Sequence, residues 1–316
     1  MIIMRKIVGR IAVLLLMYLL LQGVFTLVVA GGFLGYSIAE GRVTVEQLAN
    51  VGNAERVSDI PGLEDYAIDV MAIGLFLSAS CMLLFIHLTK FFRLRMSLFS
   101  SIAFKPLIIS ALFVFCSMFA LNIIVQFFPL EDNLSEEFYG LTHNFLGAFT
   151  ISILGPILEE VMFRGAIQGY MMRRFRSPWI AIAIAALIFG IFHMNPVQIA
   201  YAALLGVVFG WIYYRTGSLM YAIVGHVLNN SVATLLMICF GKSNETELLE
   251  GFSPFAENVM SAIVAVVFAL LAISLAVRLS RMLPAPPVPW HDSDEPAQAS
   301  CTAAEPMVIG EENIGE

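Results

Sequence analysis

Charged side chains occur inside an apolar segment, 143–172. A charge within a bilayer is costly and usually faces a cavity or a partner. In an α-helix Glu160 and Arg164 share one face and can pair, whereas Glu159 points about 100° away and has no partner at helical spacing. A carboxylate in a low-dielectric cavity binds protons more readily and can act as a general base, which is the interpretation we favour for Glu159. For Glu160 and Arg164, an ion pair that only fixes helix packing is at least as good an interpretation.

Two further segments carry polar residues of catalytic type. His226 and Asn230 are four residues apart, share a helix face and can donate hydrogen bonds toward a common point. Asn229 lies on another face. His193 follows Phe189 by four residues, and taken alone the two are most simply a core histidine and a packing residue. An interhelical hydrogen bond is the corresponding packing interpretation for the His226 and Asn230 pair.

The predicted depths of these residues overlap. Counting about 1.5 Å per residue from the segment ends places Glu159 and His193 about 20 Å deep. Asn230 comes out about 15 Å deep and His226 about 10 Å deep by the same count. Two histidines, a carboxylate and an amide that converge in a cavity predict water activation beside an oxyanion site.

Composition indicates which elements position them. Of 316 residues, 59% are apolar and 13% are charged, whereas soluble domains are about a quarter charged. This favours an all-α, multi-pass membrane bundle and argues against a soluble enzyme or a nucleic-acid binder. The four cysteines show no disulfide or metal-binding spacing. Eight segments approach the roughly 20 apolar residues that a span needs: 11–30, 70–92, 107–128, 143–172, 179–194, 198–214, 219–240 and 258–277.

Loop charges predict the orientation. With the N-terminus inside, the cytoplasmic loops and helix ends before the tail are basic, and the opposite loops are mainly acidic. Both termini are then cytoplasmic, and a bacterial inner membrane is the expected location. The first span is predicted to be an uncleaved anchor rather than a signal peptide. Prolines, acidic residues and the lack of Lys or Arg predict a disordered tail over 284–316.

Three motifs resemble those of the CPBP family, which comprises type II CAAX prenyl endopeptidases and Abi proteins. The stretch 155–165, GPILEEVMFRG, is similar to the family's EExxxR motif. Phe189 to His193 resembles FxxxH, and His226 to Asn230 resembles HxxxN/D. The resemblance covers about 143–240. It divides the chain into three N-terminal helices with loops (1–142), a four-helix catalytic core (143–240), a last loop and helix (241–283) and the tail (284–316).

The resemblance implies an intramembrane endopeptidase that cuts a membrane-associated protein or peptide, prenylated or not. Glu159 would activate water with help from His193, and His226 and Asn230 would stabilise the oxyanion. Supporting roles would fall to three residues: Glu160, Arg164 and Phe189. We favour a mechanism without a cofactor, with zinc on His193, His226 and Glu159 as the alternative.

Two other functional classes stay open on the sequence. A transporter could use the same buried polar residues, although no paired repeat halves are evident. A non-catalytic scaffold or immunity protein could instead bind partners through two pairs of glycines at helical spacing, Gly206/Gly210 and Gly165/Gly169. Close helix packing within the bundle explains such pairs equally well.

Overall fold

The computed structural model describes residues 2–48, 56–92, 102–241 and 253–283. The predicted tail, 284–316, lies outside these ranges. The described chain is helical and contains no strand. Its helices are α1 (Ile2–Ala39), α2 (Val45–Leu48), α3 (Ala67–Leu88), α4 (Phe104–Gln126), α5 (Ser135–His143), α6 (Phe145–Met172), α7 (Pro178–Ile191), α8 (Pro196–Thr216), α9 (Leu219–Phe240) and α10 (Pro254–Met282).

Seven of the described helices are long and apolar enough to cross a membrane, which confirms the predicted multi-pass helical bundle. The fifth predicted segment, 179–194, corresponds to α7, whose 14 residues reach only about 21 Å. This is shorter than the roughly 30 Å hydrocarbon core. By contrast, α1 has 38 residues and extends beyond the predicted span on both sides. The break predicted between the fifth and sixth segments is present, because α8 begins at Pro196.

The helix α6 is not regular. Its backbone has π-helical hydrogen bonding over Thr150–Leu154 and again over Glu160–Gln168. The expectation of α-helical geometry around Glu160 and Arg164 is therefore wrong for that segment. Pro156 offers a local cause for the first irregularity, because it has no N–H and its ring disturbs the preceding turn. Such π segments are frequent at functional sites.

Both glycine pairs pack inside the bundle. A Cβ added at Gly206 would lie 3.1 Å from the Ala186 Cα, and one at Gly210 would lie 2.7 Å from the Gln168 Oε1. The second pair, Gly165 and Gly169, is likewise covered by neighbouring side chains of this chain. The glycines thus bring α6, α7 and α8 close together. They offer no surface for the partner that the scaffold hypothesis needs.

The turn between α7 and α8 is tied to a distant loop. Asn195 is fully buried, and its Nδ2 donates to the Asp132 Oδ1 at 2.9 Å. Its Oδ1 accepts from the Asn133 N–H at 3.2 Å. Met194, next to Asn195, has a left-handed φ of 54°. These bonds fix the turn that carries His193, the second predicted catalytic residue.

Candidate active site

A buried ion pair lies at the centre of the site. Glu160 and Arg164 have 0% and 1% exposed side chains, and the Arg164 Nη1 lies 2.9 Å from the Glu160 Oε1. The pair predicted from their spacing is confirmed. The same Glu160 oxygen is 2.8 Å from the His226 Nδ1. One carboxylate therefore holds both a guanidinium and an imidazole, and it fixes the orientation of His226.

Glu159 contacts the other side of the same imidazole. Its Oε2 lies 3.6 Å from the His226 Nε2, an electrostatic contact longer than a hydrogen bond. The sequence predicts no partner for Glu159 at helical spacing, and the partner in the structure lies on another helix, α9. The shallower depth predicted for His226 is wrong relative to Glu159, because both ring nitrogens face the two carboxylates. Consecutive glutamates on α6 thus face opposite nitrogens of one ring.

The carboxylates retain unused hydrogen-bonding capacity. The Oε2 atoms of Glu159 and Glu160 are buried and have no hydrogen-bond partner within the described chain. Buried polar atoms without a partner are rare and call for an explanation such as a bound water or a catalytic role. The Glu159 side chain is 23% exposed, whereas that of Glu160 is fully enclosed. Glu159 is therefore the carboxylate that a small molecule can approach.

Two phenyl rings enclose the ion pair. The Arg164 guanidinium lies 4.2 Å from the Phe189 ring centroid and 5.3 Å from that of Phe209. His226 stacks on Phe209 at 4.7 Å and meets the edge of Phe189 at 5.7 Å. Phe189 was predicted as a support, whereas Phe209 was missed because nothing in the sequence distinguishes it from other packing aromatics. The rings exclude water from the charges and strengthen their interaction.

His193 lies beside this cluster without joining it directly. Its Nδ1 is 2.9 Å from the Phe189 carbonyl oxygen, and its ring meets the Phe189 ring edge-on at 4.9 Å. The structure thus brings the two histidines to one phenyl ring, but no hydrogen bond or ion pair joins His193 to Glu159 in the described part of the chain. With Nδ1–H donated to the carbonyl, a neutral His193 has its Nε2 lone pair available to accept a hydrogen bond.

Asn230 belongs to a hydrogen-bonded chain. Its Nδ2 donates to the Ile151 carbonyl at 2.9 Å, and its Oδ1 accepts from the Asn229 Nδ2 at 2.8 Å. The Asn229 Oδ1 in turn accepts from the Tyr201 hydroxyl at 2.6 Å. Asn229, which was considered less relevant, therefore positions Asn230, and Tyr201 was missed altogether. No side-chain hydrogen bond joins Asn230 and His226 in the described structure.

Proline chemistry explains the Ile151 contact. In π-helical bonding the Ile151 carbonyl would accept from the N–H five residues later, which is the position of Pro156. Because proline has no N–H, this carbonyl needs another donor inside the bundle. The Asn230 amide supplies it. The sequence signal that could have indicated this contact is therefore the proline before the two glutamates.

The first helix also reaches the site. Tyr18 of α1 is 9% exposed and packs on Phe192 at 5.4 Å, directly before His193 in the chain. It lies close enough to Glu159 for an electrostatic interaction. Because Tyr18 is outside the predicted core, only its position in the middle of the first span could have drawn attention to it.

The donor geometry bears on the zinc alternative. Within the described ranges no group of three or more His, Cys, Asp or Glu side chains is arranged so that it could hold a metal ion. Glu160 holds the Nδ1 of His226, and a backbone carbonyl holds that of His193, which leaves the two Nε2 atoms open to a ligand. His193, His226 and Glu159 do not form a three-ligand site in this arrangement.

Fold and site define a multi-pass helical membrane protein with a glutamate–histidine centre inside its bundle. Residues 141–232 match the family model described as type II CAAX prenyl endopeptidase Rce1-like. A curated relative is the "Putative membrane peptidase YdiL" of Bacillus subtilis (strain 168), 31% identical over 87 residues. That alignment covers 28% of this chain and 35% of the relative, about a third of its length. No solved structure matches the chain.

The family model matches the segment that carries the three motifs. The resemblance to the CPBP family is thereby confirmed for this segment. The N-terminal helices, including the one that contributes Tyr18, lie outside the family model. The site is consequently built from a family core and from one helix that the family model does not describe.

Proposed function

We propose that the protein is an intramembrane endopeptidase that hydrolyses a peptide bond in a membrane-associated protein or peptide. The observation that carries the proposal is the buried, unpartnered Glu159 Oε2, 3.6 Å from the His226 Nε2. A carboxylate in this position can remove a proton from water, which is the work of a general base. The family core supports the same reaction class.

The reaction follows from these groups. Glu159 takes a proton from a water molecule, and the water oxygen forms a bond to the carbonyl carbon of the substrate. The negative charge that develops on the carbonyl oxygen needs preorganised donors. Asn230 supplies the second hydrogen of its Nδ2, and His226, with both ring nitrogens protonated between the two carboxylates, supplies its Nε2–H. When the tetrahedral intermediate collapses, the C–N bond breaks and protonated Glu159 returns its proton to the leaving amine. Glu159 is then ionised again.

The remaining residues keep these groups in position. Glu160 bonds the His226 Nδ1, so that only Nε2 faces the reaction. Arg164 balances the charge of Glu160 and donates to the Gly206 carbonyl at 3.2 Å, which connects α6 to α8. His193 accepts a hydrogen bond from the water or the substrate through its Nε2. Oriented groups of this kind reduce the reorganisation that the reaction requires.

The proposed mechanism uses no metal. Its support is that His193, His226 and Glu159 do not come together within the described residues as a group that could hold a metal ion. The proposed location is a bacterial inner membrane with both termini cytoplasmic. This orientation rests on the basic loops of one side and the acidic loops of the other.

Cleavage by the purified full-length protein tests the proposal. It is reconstituted in liposomes with membrane-anchored peptides, each supplied with and without a prenylated cysteine. We expect peptide fragments with the wild type and at least a hundredfold lower rate with Glu159→Gln, which keeps the side-chain shape but removes the base. Glu131→Gln, in the exposed loop before α5, is the control. Equal cleavage by Glu159→Gln and the wild type would show that Glu159 is not the base.

A further inference from the structure

A second site is suggested by a groove on another part of the bundle. The groove lies between α4, α8 and α10, opens sideways and has a volume of about 600 Å³. Its walls are small or apolar, and Arg281 is the one charged residue among the described residues that line it. On α8, Val208 and Trp211 line it, on a different face from the glycines that pack toward the catalytic cluster. The groove is therefore separate from the proposed active site.

The groove has the length of one lipid leaflet. Its α10 wall extends from Ala269 to Arg281, about 18 Å along the helix. Half of a hydrocarbon core of roughly 30 Å is about 15 Å. Ring contacts hold the walls apart: Phe119 stacks on Phe268 at 5.3 Å. An extended hydrocarbon chain of one leaflet fits these dimensions.

Positive charge is concentrated where the groove ends. Arg281 is exposed and has no hydrogen bond or ion pair to any other described residue. Nearby, the Arg215 Nη2 donates to the Ser280 and Leu283 carbonyls, which fixes this end of α10 and adds a second positive charge. Among the residues that the structure describes, no carboxylate lines the groove. An occupant with a hydrocarbon chain and an anionic head is complementary to this arrangement.

We propose that the groove binds an anionic phospholipid, with one acyl chain along α10 and its phosphate at Arg281. The small side chains, such as Ala276, leave room for the chain between the helices. This site is independent of the proposed peptidase activity. Occupancy of the groove on the α4–α8–α10 side of the bundle therefore depends on the anionic lipid content of the membrane.

Native mass spectrometry of the full-length protein in detergent tests the headgroup. Phosphatidylglycerol and phosphatidylcholine with identical acyl chains are titrated separately. We expect tighter binding of phosphatidylglycerol, and about a fivefold weakening by Arg281→Gln without change for phosphatidylcholine. Arg278→Gln, one turn away and outside the groove lining, is the control and should change binding less than twofold. Equal binding of both lipids, or equal losses in both variants, would overturn the proposal.

A second variant tests whether the acyl chain occupies the groove. Ala276→Trp fills the groove, so we expect weaker binding of both lipids, whereas Ile263→Trp on the exposed face of the same helix should leave both unchanged. The unfolding temperature of each variant is measured, and Arg281→Gln, an exposed change, serves as the decisive variant where Ala276→Trp unfolds. A dimer that Ala276→Trp abolishes would show that a second copy fills the groove and would refute the lipid site.

Discussion

Glu160 and Glu159 are expected to respond in opposite ways to the same substitution. Glu160→Gln removes the charge that faces Arg164, whose side chain is 1% exposed. It also weakens the bond that holds the His226 Nδ1. Breaking one partner of a buried ion pair costs about 3–5 kcal/mol, because the other charge stays buried without compensation. We therefore expect Glu160→Gln to lower the free energy of unfolding by about this amount.

Glu159→Gln should leave stability nearly unchanged. Its side chain is partly exposed, and its charged contact is the longer one to His226. Because this contact is longer than a hydrogen bond and the Oε2 has no hydrogen bond to lose, we expect a change within about 1 kcal/mol, together with the loss of cleavage. This contrast between neighbouring residues distinguishes a carboxylate that stabilises the fold from one that takes part in the reaction.

The measurement combines unfolding by denaturing detergent with peptide cleavage on the same preparations. The double variant Glu160→Gln with Arg164→Met removes both charges, and we expect it to recover most of the lost stability but not the activity, because His226 lacks its anchor. The reasoning is refuted if Glu160→Gln is as stable as the wild type, or if Glu159→Gln destabilises the protein equally.

Other variants test separate parts of the site. Tyr18→Phe keeps the ring contact with Phe192 but removes a hydroxyl near Glu159, so we expect about tenfold slower cleavage at unchanged unfolding temperature. An unchanged rate would show that this hydroxyl does not contribute to the reaction. Gly210→Ala should lower the free energy of unfolding by about 1–3 kcal/mol because its Cβ has no room. Gly9→Ala, whose Cβ would have no atom within 4 Å, should not lower it. Equal free energies of unfolding for the two variants would contradict the packing argument. Pro156→Ala supplies the missing N–H, so Asn230 should lose its carbonyl partner and cleavage should slow without loss of stability. Chelators should leave the cleavage rate unchanged. A loss of cleavage that is reversed by added zinc would contradict the metal-free mechanism.

The elements that could be predicted from the sequence are those with local signals. Apolar length indicated the spanning helices, and the spacing of Glu160 and Arg164 indicated their ion pair, which the structure confirms. The motif segments also come together around Phe189. The ion pair depends on neighbours within one helix and the spanning helices on hydrophobic length, and both are visible in a single sequence.

The rest depended on contacts between distant segments. The partner of Glu159 is a histidine on another helix, and the turn that carries His193 is held by Asp132, more than sixty residues earlier. The sequence predicted eight spanning segments, whereas seven described helices are long enough to span, because α7 is shorter than its apolar sequence suggested. No periodicity within a segment contains such information, since through-space partners are fixed by how the helices pack.

The π segments of α6 explain why so many polar residues surround the site. Inside a membrane each backbone carbonyl needs a partner, because no bulk water is present. Around these segments side chains supply the donors: Arg10 donates to the Ala166 carbonyl at 2.7 Å, and Asn230 donates to that of Ile151. Asn230 is thereby oriented by a backbone need that Pro156 creates. The same irregular backbone that requires polar partners for stability thus holds the polar groups that the proposed chemistry uses.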